Sequence, residues 1–183
     1  MENKKTIKRA DFLPEDLKGS ANLNEALPIG YGQTNSQPEV VAFMLKLLNP
    51  RPGDKILDVG SGSGWTSVLL ADVVGERGKV IAIEIIPELM EFGKRNAAKY
   101  NLPIQFVCAD GSKGYKKEAP FDKILASASA FDEVPLAWKE QLKVGGIIVA
   151  PIGNSIWRVV KKSETEFQET EYPGFSFVPL ISK

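Results

Sequence analysis

Three glycines at every second position, set directly after a short apolar run, constrain this chain more than any other feature. Residues 55–64 read Lys-Ile-Leu-Asp-Val-Gly-Ser-Gly-Ser-Gly. Ile56, Leu57 and Val59 read as a buried strand, and Trp65-Thr66-Ser67-Val68-Leu69-Leu70-Ala71 as the helix that follows. Gly60, Gly62 and Gly64 form the turn between them. Without Cβ atoms such a turn lets backbone approach a ligand closely, and the helix start leaves N–H groups unpaired.

The spacing narrows the choice of ligand. A dinucleotide-binding turn needs G-x-G-x-x-G. Counted from Gly60 the third glycine falls on Trp65, and counted from Gly62 it falls on Ser67. The turn also carries an acid, Asp58, which repels a pyrophosphate and attracts an ammonium group. Acid-x-Gly-x-Gly-x-Gly resembles the S-adenosylmethionine (SAM) turn of Rossmann-like methyltransferases. SAM is therefore the expected cofactor, with Asp58, Gly60, Ser61 and Gly62 at its site.

Other properties remove alternatives. A chain of 183 residues with 43% apolar and 25% charged residues reads as one globular domain. Its formal net charge of zero gives no broad field for nucleic acid. The chain has no histidine and one cysteine, Cys108. A Ser-His-Asp triad, a His-ligated metal and an internal disulfide are excluded, and no metal is expected. No stretch approaches a membrane span or a secretory leader. A cytoplasmic monomer is the expectation.

Along the chain, residues 1–26 read as a loose charged arm with a short turn at Pro14-Glu15-Asp16-Leu17. Residues 27–183 read as the single domain. Residues 27–38 hold too many glycines and prolines for long regular structure. Pro38 then opens a helix carrying Val40, Val41, Met44, Leu45 and Leu48. The polar run at residues 33–37 either caps that helix or walls a site, and capping is the simpler reading. Residues 79–84 form a second strand ending in Glu84, about 20 residues past the glycine turn, where an acid accepts from ribose 2′ and 3′ hydroxyls. A helix is expected at 87–100 and a third strand at 104–109. Asp110-Gly111 follows, either as an adenine contact or as an ordinary turn. A fourth strand at 121–127, a helix at 134–142, a fifth strand at 147–152 and a strand pair at 156–160 and 166–170 complete the pattern. Alternating strands and helices predict a mostly parallel, doubly wound α/β sheet with a C-terminal antiparallel strand pair. Asp58, Gly60, Glu84, Asp110 and Ser127 then share the carboxyl edge, where such sheets bind ligands.

From Leu27 onward the chain resembles the protein-L-isoaspartate (D-aspartate) O-methyltransferase family. The resemblance rests on Leu27-Pro28-Ile29-Gly30-Tyr31-Gly32-Gln33-Thr34-Asn35-Ser36-Gln37-Pro38, on the glycine turn, and on Asp110-Gly111-Ser112-Lys113-Gly114. It continues through Gln141-Leu142-Lys143-Val144-Gly145-Gly146 and Phe177-Val178-Pro179-Leu180. It implies methylation, with SAM, of the free carboxylate of isoaspartyl residues in damaged proteins, which starts their repair. It implies Ser36 as the active-site serine with Thr34 beside it. Ile29, Gly30, Tyr31, Gly32, Glu84, Ile85, Asp110 and Gly111 would line cofactor and substrate. Two positions depart from the family pattern: the N-terminal region is short, and Asn35 stands where an aliphatic residue is usual. The alternatives are an RNA or small-molecule methyltransferase of the same fold, and a SAM-binding relative without activity.

Overall fold

The structure is a computed structural model and describes residues 6–130 and 132–182. Residues 1–5 of the N-terminal arm and Lys183 lie outside the described residues.

A seven-stranded sheet organises the chain. Its strands are β3 (Lys55–Val59), β4 (Lys79–Glu84), β5 (Ile104–Cys108), β6 (Phe121–Ala126), β7 (Leu142–Ile152), β8 (Ser155–Lys161) and β9 (Phe167–Pro173). Their spatial order is β5-β4-β3-β6-β7-β8-β9. The first five in that order run parallel, and β8 and β9 add antiparallel. The chain moves outward from β3 to β5 and then returns to the other side of β3 at β6. That reversal opens a crevice at the carboxyl ends of β3 and β6.

Helices α1 (Pro38–Leu48), α2 (Trp65–Val74), α3 (Pro87–Ala97) and α4 (Leu136–Gln141) cover the sheet. Strand residues alternate between its two faces. Ile56 and Leu125 join Met44, Leu48, Leu70 and Val74 in one apolar cluster. Leu57, Val59, Ile124 and Ala126 join Trp138 and Leu142 in the other. Burial on both faces explains why β3, β4 and β6 read as continuous apolar runs.

Two expectations need correction, and a third is refined. The helix read at 134–142 spans only Leu136–Gln141. Residues 142–146, read as its glycine-rich end, instead begin β7, with Leu142 opposite Phe121 and a register shift before Lys123. Residues 27–38 contain a short antiparallel hairpin, β1 (Leu27–Gly30) and β2 (Gln33–Asn35). The described part of the arm is packed rather than loose. It forms 3₁₀ turns at Arg9–Phe12 and Glu15–Ser20. Phe12 is 0% exposed and packs with Val68 and Ala97, and its ring stacks on Tyr100.

Candidate active site

The glycine turn adopts the backbone that its sequence requires. Gly60, Gly62 and Gly64 have φ of 73°, 48° and 82°. A Cβ on Gly64 would lie 2.8 Å from the Gly93 carbonyl oxygen, so glycine there also lets α2 approach α3. The N–H groups of Gly60 and Ser61 both donate to the Ile83 carbonyl, which ties the turn to the end of β4.

Above this turn lies a cavity. Its walls include Ile29, Gln33, Thr34, Asn35 and Ser36 from the hairpin region, with Gly60, Ser61, Gly62, Ser63, Trp65 and Thr66 from the turn and α2. Glu84, Ile85, Ile86, Gly111, Ser127 and Ala128 come from the other strand ends, and Val178, Pro179, Leu180 and Ile181 close it. The closing segment is held by backbone bonds from Ser129 N–H to Val178 and from Leu180 N–H to Ser129. A second cavity, of about 470 Å³, adjoins the first. Thr34, Ser36, Ser127 and Val178 line both.

The acids occupy distinct environments. Asp58 is 0% exposed and lies outside the cavity wall. Its Oδ2 accepts from Ser67 Oγ at 2.6 Å and Thr66 Oγ1 at 3.1 Å, while Oδ1 has no partner among the described residues. Burial pushes its pKa up to about 6 against those two hydrogen bonds. Glu84 reaches the wall, but Oε1 accepts from Ile85 and Ile86 N–H and Oε2 from Gly62 N–H. A carboxylate has about four acceptor positions. With three taken by backbone donors, about one position remains for a ribose hydroxyl, on Oε2. Asp110 also lies outside the wall; its Oδ1 accepts from Ser112 N and Oγ, which is the turn chemistry. Gly111 does line the cavity, and its carbonyl accepts from Trp138 Nε1.

Gly30, Tyr31 and Gly32 form the hairpin tip outside the wall, all at positive φ, with Tyr31 59% exposed. The capping reading of residues 33–37 fails as well. Gln37, the N-cap of α1, makes no side-chain cap, and the Glu39 N–H donates to Asn24 Oδ1 instead. The hydroxyls of Thr34 and Ser36 belong to residues that face both cavities. Among the wall residues, the sequence reading passed over Trp65, Ser63 and residues 178–181. The last were visible only as a family motif, because nothing local marks an irregular C-terminal segment as a wall.

The site fits SAM on its own chemistry. Among the described residues, Oδ1 of the buried Asp58 and the Ser61 hydroxyl each lack a hydrogen-bond partner, a place that a cation, a polar ligand or an ordered water can take. The glycine turn offers close backbone approach, and Glu84 retains an acceptor for a hydroxyl. Among the described residues no cluster could hold a metal, and no helix is long and apolar enough to cross a membrane.

The sheet order and this cavity define the chain as a Rossmann-like, SAM-dependent methyltransferase. The family model for protein-L-isoaspartate (D-aspartate) O-methyltransferase matches residues 1–183. The chain belongs to that family. It is 44% identical to a protein-L-isoaspartate O-methyltransferase of Methanopyrus kandleri, over 97% of this chain and 80% of that one. It is 45% identical to protein-L-isoaspartate O-methyltransferase 2 of Archaeoglobus fulgidus, over 95% of this chain and 81% of that one. Its fold matches a Plasmodium falciparum structure described as a protein-L-isoaspartate O-methyltransferase in complex with S-adenosyl-L-homocysteine. There the TM-score is 0.86 at 24% identity, covering 97% of this chain and 87% of that one.

Proposed function

We propose that this chain transfers a methyl group from SAM to the free carboxylate of L-isoaspartyl or D-aspartyl residues in damaged proteins. One observation carries the reading: Thr34, Ser36, Ser127 and Val178 are common walls of the cofactor cavity and of a second, open cavity. A donor in one and an acceptor in the other meet at three hydroxyl side chains, those of Thr34, Ser36 and Ser127. Bound there, SAM supplies a methyl that its sulfonium already makes electrophilic.

An acceptor carboxylate has a pKa near about 4 and is ionised at neutral pH, so the protein need not remove a proton from it. That suits a chain without histidine. The hydroxyls of Ser36 and Thr34 hold and orient the carboxylate, and residues 178–181 keep water from the junction. Gly60, Ser61, Gly62, Glu84, Ile85 and Gly111 hold the cofactor, with Asp58 beneath them opposing its ammonium charge. Gly30, Tyr31 and Gly32 act at the substrate rim. The described arm packs on the domain, and we read the whole as one catalytic unit, a cytoplasmic monomer that needs no nucleic acid or membrane.

Incubation with methyl-labelled SAM and an isoaspartyl peptide, the matching aspartyl peptide, or tRNA tests this. Label should enter the isoaspartyl peptide alone. Label in tRNA, or in no acceptor despite cofactor binding, overturns the reading.

A further inference from the structure

Three buried polar residues link the N-terminal arm to the glycine turn through the strand that precedes Ser36. Arg9, Asn35 and Ser63 are 8%, 3% and 4% exposed. Arg9 Nε donates to Asn35 Oδ1 at 2.8 Å. Its Nη2 donates to the carbonyls of Asn35 at 3.2 Å, Ser36 at 3.0 Å and Glu25 at 2.7 Å. Its Nη1 reaches the Leu23 carbonyl at 2.8 Å. On the far side, Asn35 Nδ2 donates to Ser63 Oγ at 3.0 Å. Ser63 lies between Gly62 and Gly64, and its carbonyl accepts from Asn96 Nδ2 at 3.1 Å.

One amide therefore does two jobs. It accepts from a buried cation that grips the backbone at Ser36, and it donates to the turn beneath the cofactor cavity. An aliphatic side chain at position 35 could do neither. It would leave the Arg9 Nε–H without that acceptor and the Ser63 hydroxyl without that donor. The Arg9 guanidinium also sits 5.3 Å from the ring centre of Trp65, another cavity wall.

We propose that Asn35, held by Arg9, is a positioning residue that couples the acceptor strand to the cofactor turn, so that cofactor occupancy fixes where Ser36 stands. This rests on the methyl-transfer reading above. The coupling runs through hydrogen bonds rather than bulk. Asn35→Asp preserves it, because a carboxylate accepts from Arg9 and Ser63 Oγ can turn to donate. Asn35→Leu keeps the number and branching of heavy atoms and removes both links.

The test compares the native chain with Asn35→Leu, Asn35→Asp, Ser63→Ala and the Asn35→Leu/Ser63→Ala double variant. Two readouts are used: kcat/KM for an isoaspartyl peptide at saturating SAM, and hydrogen exchange at residues 33–36 with and without S-adenosylhomocysteine. Losing the Asn35–Ser63 bond predicts about a fivefold to tenfold fall in kcat/KM for Ser63→Ala, and a fall at least as large for Asn35→Leu, which also loses the Arg9 bond. The double variant should be no worse than the poorer single one, because both remove the same link. Asn35→Asp should recover most of the activity. In the native chain the homocysteine product should slow exchange at residues 33–36, and in Asn35→Leu it should not. Effects that multiply, an Asp variant as poor as the Leu variant, or unchanged exchange coupling in Asn35→Leu each overturn the inference. If Asn35→Leu does not fold, Ser63→Ala and Asn35→Asp still decide it on the same two readouts. A native chain that ignores isoaspartyl peptide but shows the exchange coupling refutes the functional reading and leaves the inference standing.

Discussion

Glu84 Oε2 accepts from the Gly62 N–H at 2.9 Å, so the carboxylate at the end of β4 also braces the turn after β3. With Oε1 taking the N–H groups of Ile85 and Ile86, this acid holds three backbone donors at once. Glu84→Gln puts an amide donor where one of those acceptors stood. The expected result is a loss of S-adenosylhomocysteine affinity of about tenfold or more, measured by calorimetry, together with a lower melting temperature. Unchanged affinity would remove Glu84 from the cofactor site.

If Asp58 opposes the cofactor's ammonium group, cofactor affinity should depend on pH. Burial holds its pKa at about 6 in the folded chain. Below that value the acid is neutral and no longer opposes an ammonium group. Affinity should fall as pH drops below 6, approaching about tenfold per unit. Asp58→Asn should be weaker at pH 8 and flat across the same range. A native profile with no inflection between pH 5 and 7 (an interval of about one unit either side of that pKa) counts against the assignment.

Stability of the cofactor-free chain should move the opposite way. Asp58 has a folded pKa above its ordinary value, so its contribution to stability is present below about pH 4 and is lost as pH rises through about 6. Asp58→Asn should therefore be more stable than the native chain at pH 8, by about 1–3 kcal/mol in urea denaturation. Destabilisation at that pH would show that the hydrogen bonds from Ser67 and Thr66 outweigh the buried charge.

Ser36→Ala removes a hydroxyl from the common wall of the two cavities and leaves the glycine turn untouched. The turnover of isoaspartyl peptide should drop about tenfold or more, with cofactor affinity within about twofold of native. Parallel loss of both would assign Ser36 to the cofactor instead.

Phe12 tests whether the arm is part of the fold. Its ring is fully buried against Val68, Ala97 and Tyr100. Phe12→Ala should cost about 3 kcal/mol or more in urea denaturation. A value near zero would return the arm to a loose tail.

The sequence made the centre of the fold legible and left its rims obscure. Strands β3, β4 and β6 are buried on both faces, so continuous apolar runs marked them, and the glycine turn announced the site. Asp58 and Glu84 could be placed at strand ends by the same logic. Their partners could not, because Ser67, Thr66 and the Gly62 N–H meet them through tertiary packing. The arm misled because its anchors, the isolated Phe12 ring and an arginine that binds the carbonyls of residues 23, 25, 35 and 36, follow no periodic pattern. The early start of β7 was hidden by Gly145 and Gly146, which read as punctuation yet lie inside a strand. Ser36 could not be separated from a helix cap without knowing that Asn24 takes that role.

The cavity wall at residues 178–181 has a consequence for how the molecule comes to life. Every strand of the sheet precedes that wall in the chain, and it is pinned to Ser129 by two backbone bonds. During synthesis the core can assemble while the pocket still gapes on one side. Until residues 178–181 dock on Ser129, the glycine turn and Glu84 stand assembled while that side of the cavity lies open to water.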